Sequence, residues 1–243
     1  MSQPLCAIVG AGQGLGQSLA AKFASEGFDL ALISRTRAGC KAAQVSASNA
    51  NPTVQVKYFQ ADVTFPQSVE GAFTAITSEM GAVDVLIYNV RSEFTKCEPL
   101  KMSYEALEAI FRTEVTGAFA AAKSVLPAMI ERGQGSIFFS SATAAFRGSD
   151  SYPLYAIGKF GVRALSQSLA KAYSKDGVHI VHVRLDCDLD VPVMKELYGD
   201  GYDPNKLADP NGVAQSYWLT FQQPRSAWSN EIELRPFAET WTY

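Results

Sequence analysis

The 243-residue sequence has little of what several specialised classes of protein need. Its four cysteines, Cys6, Cys40, Cys97 and Cys187, are far apart and form no C-x-x-C pair, so we expect reduced thiols and no disulfide framework. Twenty-one basic residues face 24 acidic ones without any lysine/arginine cluster, which argues against a nucleic-acid partner. No apolar run approaches the roughly 18 residues that span a membrane.

The first ten residues, MSQPLCAIVG, have neither the basic segment nor the cleavable apolar stretch of a secretion signal. We therefore expect a cytoplasmic protein. Apolar residues make up 47% of the chain, which is enough for a sizeable core and too much for a disordered chain. Composition gives no indication of the activity.

Short apolar segments alternate with segments of helical length along the whole chain. Strands are predicted at 5–9, 28–33, 54–59, 83–88, 136–140, 178–184 and 231–235, and helices at 15–26, 37–48, 66–79, 103–131 and 153–174. This alternation is typical of right-handed βαβ units in a parallel sheet that is buried on both faces. We predict one doubly wound α/β domain over 1–243, a Rossmann fold with three layers, α/β/α. The irregular segment 185–211 follows a predicted strand and is predicted to be a substrate lid.

A glycine-rich segment joins the first predicted strand to the first helix. It reads Gly10-Ala11-Gly12-Gln13-Gly14-Leu15-Gly16. Glycine permits a tight turn with positive φ and a close approach of the backbone to a pyrophosphate, and a helix N-terminus supplies free N–H groups. The segment, Gln13 and Leu15 included, is therefore predicted to bind a dinucleotide. The alternative is a plain structural turn.

The spacing of Gly10, Gly14 and Gly16 is G-x-x-x-G-x-G, which resembles the short-chain dehydrogenase/reductase family. The resemblance extends over nearly the whole chain. Asp62 and Val63, after the third predicted strand, resemble the family's pair that contacts adenine. Asn89 resembles the first residue of the family's Asn-Ala-Gly, although here the segment reads Asn89-Val90-Arg91. The resemblance implies that all three contact a nicotinamide dinucleotide.

The end of the second predicted strand indicates which nicotinamide dinucleotide is bound. An NAD-binding fold usually has an acidic residue here for the ribose 2′-hydroxyl, and this sequence has none. Arg35 instead offers a guanidinium that can pair with a 2′-phosphate. We predict NADP in preference to NAD. The alternative is that Arg35 is a solvated side chain at a strand end.

Tyr155 and Lys159 lie four residues apart on the predicted helix 153–174, so both side chains share one face. A positive charge beside a phenol lowers its pKa from about 10, which makes tyrosine a usable proton donor and acceptor near neutral pH. Ser140 and Ser141 close the preceding predicted strand, 136–140, and the alternative role for either serine is a turn or helix cap. The family resemblance, which Ser141 matches better than Ser140, implies that Ser141 binds the substrate carbonyl, Tyr155 transfers a proton and Lys159 holds the nicotinamide ribose.

Two positions depart from the family pattern. Glu114 stands where the family has an asparagine that supports a proton-relaying water. A carboxylate could hold such a water or pair directly with Lys159, and the alternative is a helix residue turned to solvent. Asp186 takes the place of the glycine in the Pro-Gly that follows the sixth strand. The alternating aspartates at 186, 188 and 190 lack the glycine and glutamate of a calcium loop, so no metal site is predicted.

Other residues bear on the substrate and on association. Phe94, Phe146, Tyr152 and the segment 191–202 are expected to form pocket walls that suit an apolar or aromatic carbonyl. His179 and His182 are three apart on a strand and should point to opposite faces. The C-terminal aromatics Trp218, Phe221, Trp228, Phe237 and Trp241 are predicted to be core or subunit interface. The family usually pairs through its two long helices, which implies a homodimer or homotetramer.

Two functions are compatible with these observations. The first is an NADP-dependent reductase or dehydrogenase that acts on a small-molecule carbonyl or alcohol through Ser141, Tyr155 and Lys159. The second is a catalytically weak or inactive NADP(H)-binding sensor or scaffold on the same fold, because Glu114 and the missing Pro-Gly depart from the catalytic pattern. A dehalogenase relative is disfavoured, since such relatives, as the family pattern implies, lose both the lysine and the glycine-rich turn.

Overall fold

The computed structural model describes residues 3–238. Within this range one parallel sheet of seven strands has the order β3-β2-β1-β4-β5-β6-β7. The strands are β1 (Leu5–Val9), β2 (Asp29–Ser34), β3 (Val56–Gln60), β4 (Val85–Tyr88), β5 (Gly135–Ala142), β6 (Val178–Leu185) and β7 (Glu231–Leu234). The prediction of a doubly wound α/β fold is confirmed.

Helices cover both faces of the sheet. They are α1 (Leu15–Ser25), α2 (Arg37–Ala50), α3 (Pro66–Met80), α4 (Tyr104–Phe111), α5 (Gly117–Glu131), α6 (Pro153–Tyr173), α7 (Pro192–Tyr198) and α8 (Pro210–Phe221). The predicted helical stretch 103–131 is present, but α4 and α5 are joined inside it by a π-helical turn, Arg112–Thr116, that was not predicted. Apolar periodicity does not distinguish such a turn from regular α-helix. Ser103 caps α4 by accepting a hydrogen bond from the backbone N–H of Ala106.

The apolar side chains form one core on each side of the sheet, which explains why β1 and β4 are buried along their whole length. One core packs α3, α5 and α6 against the sheet, and the other packs α1, α2 and α8. β1 pairs with β2 on one side and with β4 on the other. The chain reverses its winding direction between β1 and β4, so a crevice opens at the carboxyl ends of these strands, where α/β sheets bind ligands.

The C-terminal aromatics have different environments. Trp218 and Phe221 pack against the core on the α1 side, within 6.2 Å of the ring of Phe23. Trp228 stacks on His179 at 4.6 Å, whereas Phe237 is 90% exposed. Trp241 lies outside the described residues. These placements confirm a core role for Trp218 and Phe221. Exposed Phe237 is not in the core, and its alternative role in a subunit interface stays a prediction.

His179 and His182 point to opposite faces of β6. The ring of His179 lies beside Phe138, in the core on the α8 side, whereas Nδ1 of His182 is 3.0 Å from Glu231 Oε1. Between residues 3 and 238, no helix is long and apolar enough to cross a membrane, and the four cysteines form no disulfide.

Candidate active and cofactor site

The glycine-rich turn is pressed against the end of β4. Gly10 has φ +83°, and a Cβ on it would lie 2.5 Å from the carbonyl oxygen of Asn89. The side-chain amide of Asn89 donates a 3.2 Å hydrogen bond to the carbonyl of Gly10. Gly14 has φ +91° and precedes the first turn of α1. Only glycine meets these conditions, and the first turn of α1 has no side-chain cap for its free N–H groups.

These features fit a dinucleotide pyrophosphate, which needs a backbone cradle and a helix N-terminus. Gln13 is exposed beside the turn, but Leu15 is buried in the core. Leu15 can therefore contribute only its backbone N–H to such a ligand. Its side chain stabilises α1 against the sheet.

A cavity of about 1030 Å³ extends from the glycine-rich turn along the carboxyl edge of the sheet. The predicted cofactor residues that line it are Gly10, Arg35, Asp62, Val63 and Asn89. Ser141, Tyr155 and Lys159 are not among its lining residues. The structure thus brings the adenine and ribose side of the predicted cofactor site together in one space, and the predicted catalytic side chains form a separate group.

Arg35 is exposed directly after β2, and its charge acts on Asp62. Asp62 accepts hydrogen bonds from the backbone N–H and the hydroxyl of Thr64, at 3.0 and 2.7 Å. Burial raises the pKa of Asp62, but these hydrogen bonds and the positive charge of Arg35 more than offset it, so the pKa is lowered. Asp62 therefore stays ionised and fixes the turn after β3.

Ser141 lies within β5, which continues to Ala142 and so runs two residues beyond the predicted strand. The neighbouring Ser140 points to the α8 side, where its Oγ lies 2.7 Å from the hydroxyl of Tyr217. Because strand side chains alternate, Ser141 points to the α6 side. Its Oγ is buried and has no hydrogen-bond partner among the described residues. Of the two serines, Ser141 is thus the one that shares a side of the sheet with Tyr155 and Lys159.

Tyr155 and Lys159 occupy the first turns of α6, which begins at Pro153. The ammonium of Lys159 lies 5.5 Å from the centroid of the Tyr155 ring. Burial raises the pKa of Tyr155 most, and the charge of Glu114 raises it further. The Lys159 charge lowers this pKa, as predicted, but does not outweigh burial, so the pKa of Tyr155 is above the usual value of a phenol and the predicted net lowering is wrong.

Glu114 does not turn to solvent. Its side chain is 1% exposed, and its Oε2 lies 2.8 Å from Nζ of Lys159, which is 3% exposed. Its Oε1 accepts a 2.8 Å hydrogen bond from the backbone N–H of Ser92. Burial lowers the pKa of Lys159, but the Glu114 carboxylate and Tyr155 raise it above its usual value, so Lys159 stays charged. The structure therefore contains the direct ion pair between Glu114 and Lys159, which was one of the two functional roles considered for Glu114.

Asp186 is held by a network at the ends of β5, β6 and β7. Its carboxylate accepts hydrogen bonds from the hydroxyl of Thr143 and the guanidinium of Arg235, which also pairs with Glu233. In the lid, Asp188 accepts a hydrogen bond from Tyr198 and Asp190 one from Tyr202, at 2.7 and 2.6 Å. The three aspartates therefore have separate partners, and no cluster of metal-ligating side chains occurs in the described part of the chain.

The segment 185–211 is ordered by α7, by two short 3₁₀ helices and by a bridge between Leu189 and Ala208. Its Val191 reaches the glycine-rich turn, because a Cβ on Gly14 would lie 3.1 Å from Cγ1 of Val191. The segment predicted as a lid therefore lies next to the glycine-rich turn at Val191.

Two of the predicted pocket-wall aromatics lie beside Tyr155. Phe94 stacks on Tyr152 with centroids 4.1 Å apart, and its ring is nearly perpendicular to that of Tyr155, with centroids 5.0 Å apart. Phe146 belongs to another cluster, where the guanidinium groups of Arg184 and Arg163 lie 4.6 and 5.5 Å from its ring. Cation–π contact explains the position of Phe146 without a substrate.

Arg91 was not predicted as a site residue. It is exposed, it lines the cavity, and its charge lowers the pKa of both Tyr155 and Lys159. The sequence feature that could have identified Arg91 is its place in Asn89-Val90-Arg91, where a cation replaces the glycine of the family's Asn-Ala-Gly.

Comparison with known proteins identifies the class. A family model for short chain dehydrogenase matches residues 5–188, and the chain belongs to this family of oxidoreductases. An uncharacterized oxidoreductase of Staphylococcus saprophyticus is 25% identical over 238 residues, which cover 97% of this chain and 98% of the relative.

Two solved structures have the same fold. A short-chain dehydrogenase from Rhodopseudomonas palustris has a TM-score of 0.81 at 27% identity, covering 96% of this chain and 99% of its own. A metagenomic short-chain oxidoreductase in complex with NADP has a TM-score of 0.83 at 19% identity, covering 97% and 98%. The resemblance predicted from the sequence is confirmed at the level of family and fold.

Proposed function

We propose that this protein transfers a hydride between NADP(H) and a small-molecule carbonyl or alcohol, with Ser141, Tyr155 and Lys159 as its catalytic residues. The observation that carries the proposal is the position of Ser141. Its buried Oγ lacks a partner among residues 3–238 and faces the side of the sheet on which Tyr155 and Lys159 begin α6. A substrate carbonyl oxygen would give this hydroxyl the hydrogen bond that a buried polar group needs.

The proposed cofactor fits the crevice between β1 and β4. Gly10, Gly14 and the N-terminus of α1 would hold its pyrophosphate, and Arg35 would pair with its 2′-phosphate. The related metagenomic oxidoreductase crystallised with NADP supports this choice. The family resemblance adds Asp62 and Val63 for the adenine and Asn89 and Lys159 for the ribose side.

The nicotinamide supplies the hydride when it is bound. In reduction, Ser141 donates a hydrogen bond to the carbonyl oxygen and stabilises the negative charge that grows there. Tyr155 gives its phenolic proton to the same oxygen. The raised pKa of Tyr155 keeps the phenol protonated at neutral pH, which is the form that a proton donor requires. Lys159 keeps its charge beside the phenolate that forms.

The wall beside Tyr155 supports an apolar or aromatic substrate class. Phe94 and Tyr152 form a flat stacked pair, and the rings of Phe94 and Tyr155 pack in a T-shaped arrangement. An apolar or aromatic carbonyl can pack on such rings and place its oxygen near the phenol. A cytoplasmic location and a homodimeric or homotetrameric state stay predictions.

The test is NADPH oxidation with a panel of aldehydes, ketones and quinones. Tyr155→Phe should bind NADPH with unchanged affinity and lose on the order of 10²–10⁴-fold in turnover, because it lacks the proton donor. Tyr173→Phe, at the other end of α6, serves as the control and should keep its turnover.

Turnover by Tyr155→Phe near the unmodified level would overturn the catalytic assignment. NADPH binding without turnover on any member of the panel would favour the sensor or scaffold function instead.

A further inference from the structure

The ion pair between Glu114 and Lys159 is built into the fold. Glu114 lies in the π-helical turn, and α6 approaches it closely at Gly158, between Tyr155 and Lys159 on the chain. A Cβ on Gly158 would lie 2.9 Å from Cγ of Glu114 and 2.6 Å from Cγ2 of Ile110. The close approach brings the carboxylate within 2.8 Å of the ammonium.

The pair holds Lys159 on defined partners. Its ammonium donates one hydrogen bond to Glu114 and a longer one, at 3.4 Å, to the carbonyl of Val90. The second oxygen of Glu114 accepts the N–H of Ser92, so the same carboxylate ties the lysine to the segment after β4. Of the three protons of the ammonium, one remains for a further partner.

The electrostatic field at Tyr155 comes from four charged groups on four different segments. Lys159 on α6 and Arg91 after β4 favour the phenolate, whereas Glu114 in the π-helical turn and Asp188 in the lid oppose it. Two positive and two negative charges therefore act on the phenol. With a neutral residue at position 114, only Asp188 would oppose the two positive charges, so the pKa of Tyr155 would fall.

We propose that Glu114 is a positioning residue that fixes Lys159 by direct ion pairing and keeps Tyr155 in its protonated, proton-donating form, which favours carbonyl reduction over alcohol oxidation. The inference rests on the proposed function. In reduction, the O–H bond of Tyr155 breaks, its proton joins the substrate oxygen, and the hydride from NADPH forms the new C–H bond. In oxidation these transfers reverse, with NADP as the hydride acceptor, and Tyr155 must start as phenolate.

The experiment compares kcat against pH in both directions for the unmodified enzyme, Glu114→Asn, Glu114→Gln and Glu114→Asp. Glu114→Asn is the variant most compatible with folding, because the family resemblance puts asparagine at this position. In both neutral variants, the pH midpoint of alcohol oxidation should fall by about one unit, raising oxidation relative to reduction about tenfold near neutral pH.

Glu114→Asp retains the negative charge and should restore the original midpoint, even if its shorter reach lowers kcat. Glu108→Gln, on the exposed side of α4, is the matched control and should leave the profile unchanged. Circular dichroism verifies that each variant is folded.

An unchanged midpoint in folded Glu114→Asn would overturn the inference, because a merely structural role lowers kcat without moving the profile. Turnover that survives Tyr155→Phe would instead overturn the proposed function. The two failures are therefore distinguishable.

Discussion

At the ends of β2 and β3, Arg35 is exposed beside a large cavity and forms no ion pair with residues 3–238, while Asp62 is held by uncharged Thr64. On the β4 to β7 side of the same sheet, charged side chains pair with one another and are largely buried. Glu114 in the π-helical turn pairs with Lys159 on α6, and Asp186 after β6 pairs with Arg235 after β7.

The comparison distinguishes charged side chains that are free to bind a ligand, such as Arg35, from those that already pair within the protein, such as Glu114 and Lys159. An exposed guanidinium keeps its hydrogen-bonding groups for an incoming phosphate, so its loss should affect binding. A buried pair has already lost its water, and removing one partner leaves an uncompensated charge. Substitutions in the first region should therefore change KM, and those in the second should change stability as well as turnover.

The largest expected effect is that of Lys159→Ala on stability. The variant leaves Glu114 buried without its partner, which costs about 3–5 kcal/mol of the free energy of unfolding. Chemical denaturation measures this loss. Lys123→Ala is the control, because Lys123 forms an exposed pair with Glu70 and such pairs contribute only about 0–1 kcal/mol. Equal losses in the two variants would remove the distinction between the regions.

A second effect concerns the pH dependence of stability through His182. Burial lowers the pKa of His182, Glu231 raises it and Arg163 lowers it again, and the resulting pKa is about 4. In the unfolded chain His182 binds a proton near pH 6.5, whereas in the folded protein it does so only near pH 4. The contribution of neutral His182 to the free energy of unfolding is therefore complete above about pH 6.5 and is lost as the pH falls toward 4. The difference of about 2.5 units corresponds to roughly 3 kcal/mol.

Denaturation curves between pH 4 and pH 7 measure this contribution, and His182→Gln should flatten the dependence. The prediction fails if the variant and the unmodified protein lose stability in parallel across that range. A flatter pH dependence in His182→Gln would show that the buried ionisable groups on the β4 to β7 side of the sheet, and not the exposed charges near Arg35, limit stability in mild acid.

The smallest expected effect is that of Arg35→Ala on cofactor binding. Loss of a charge-assisted hydrogen bond of about 1.5–3 kcal/mol should raise KM for NADPH roughly tenfold to a hundredfold. KM for NADH, which has no 2′-phosphate, should change little, and the melting temperature should stay the same. Arg37→Ala is the control, because Arg37 is also exposed but does not line the cavity. Equal effects on NADPH and NADH would argue against NADP preference.

Much of the fold was predictable because its signals are local. The seven predicted strands agree with the structure to within about three residues at their ends, and α1, α2, α3 and α6 agree similarly. The π-helical turn between α4 and α5 was not predictable, since it has the same apolar periodicity as the two α-helices beside it. That turn is also the segment that places Glu114.

The candidate site shows the same division. The glycine-rich turn and the pairing of Tyr155 with Lys159 on one helix could be predicted, because glycine permits positive φ and residues four apart share a helix face. The direction of the pKa shift of Tyr155 could not be predicted, because burial and Glu114 raise this pKa by more than the nearby Lys159 lowers it. Phe146 was expected at the pocket but contacts Arg184, a residue nearly 40 positions away in the chain.

The sequence by itself determined the order of strands and helices, the glycine turn at the first crossover and the positions of the serine, tyrosine and lysine along the chain. These follow from side-chain periodicity and backbone freedom, which act over a few residues. The family resemblance favoured Ser141 over Ser140 and left more than one role open for Glu114. The tertiary structure decided that the Ser141 side chain faces α6 and that Glu114 pairs with Lys159. Both outcomes depend on which distant segments meet across the sheet, and the cost of burying an unpaired charge or polar group selects the partners there.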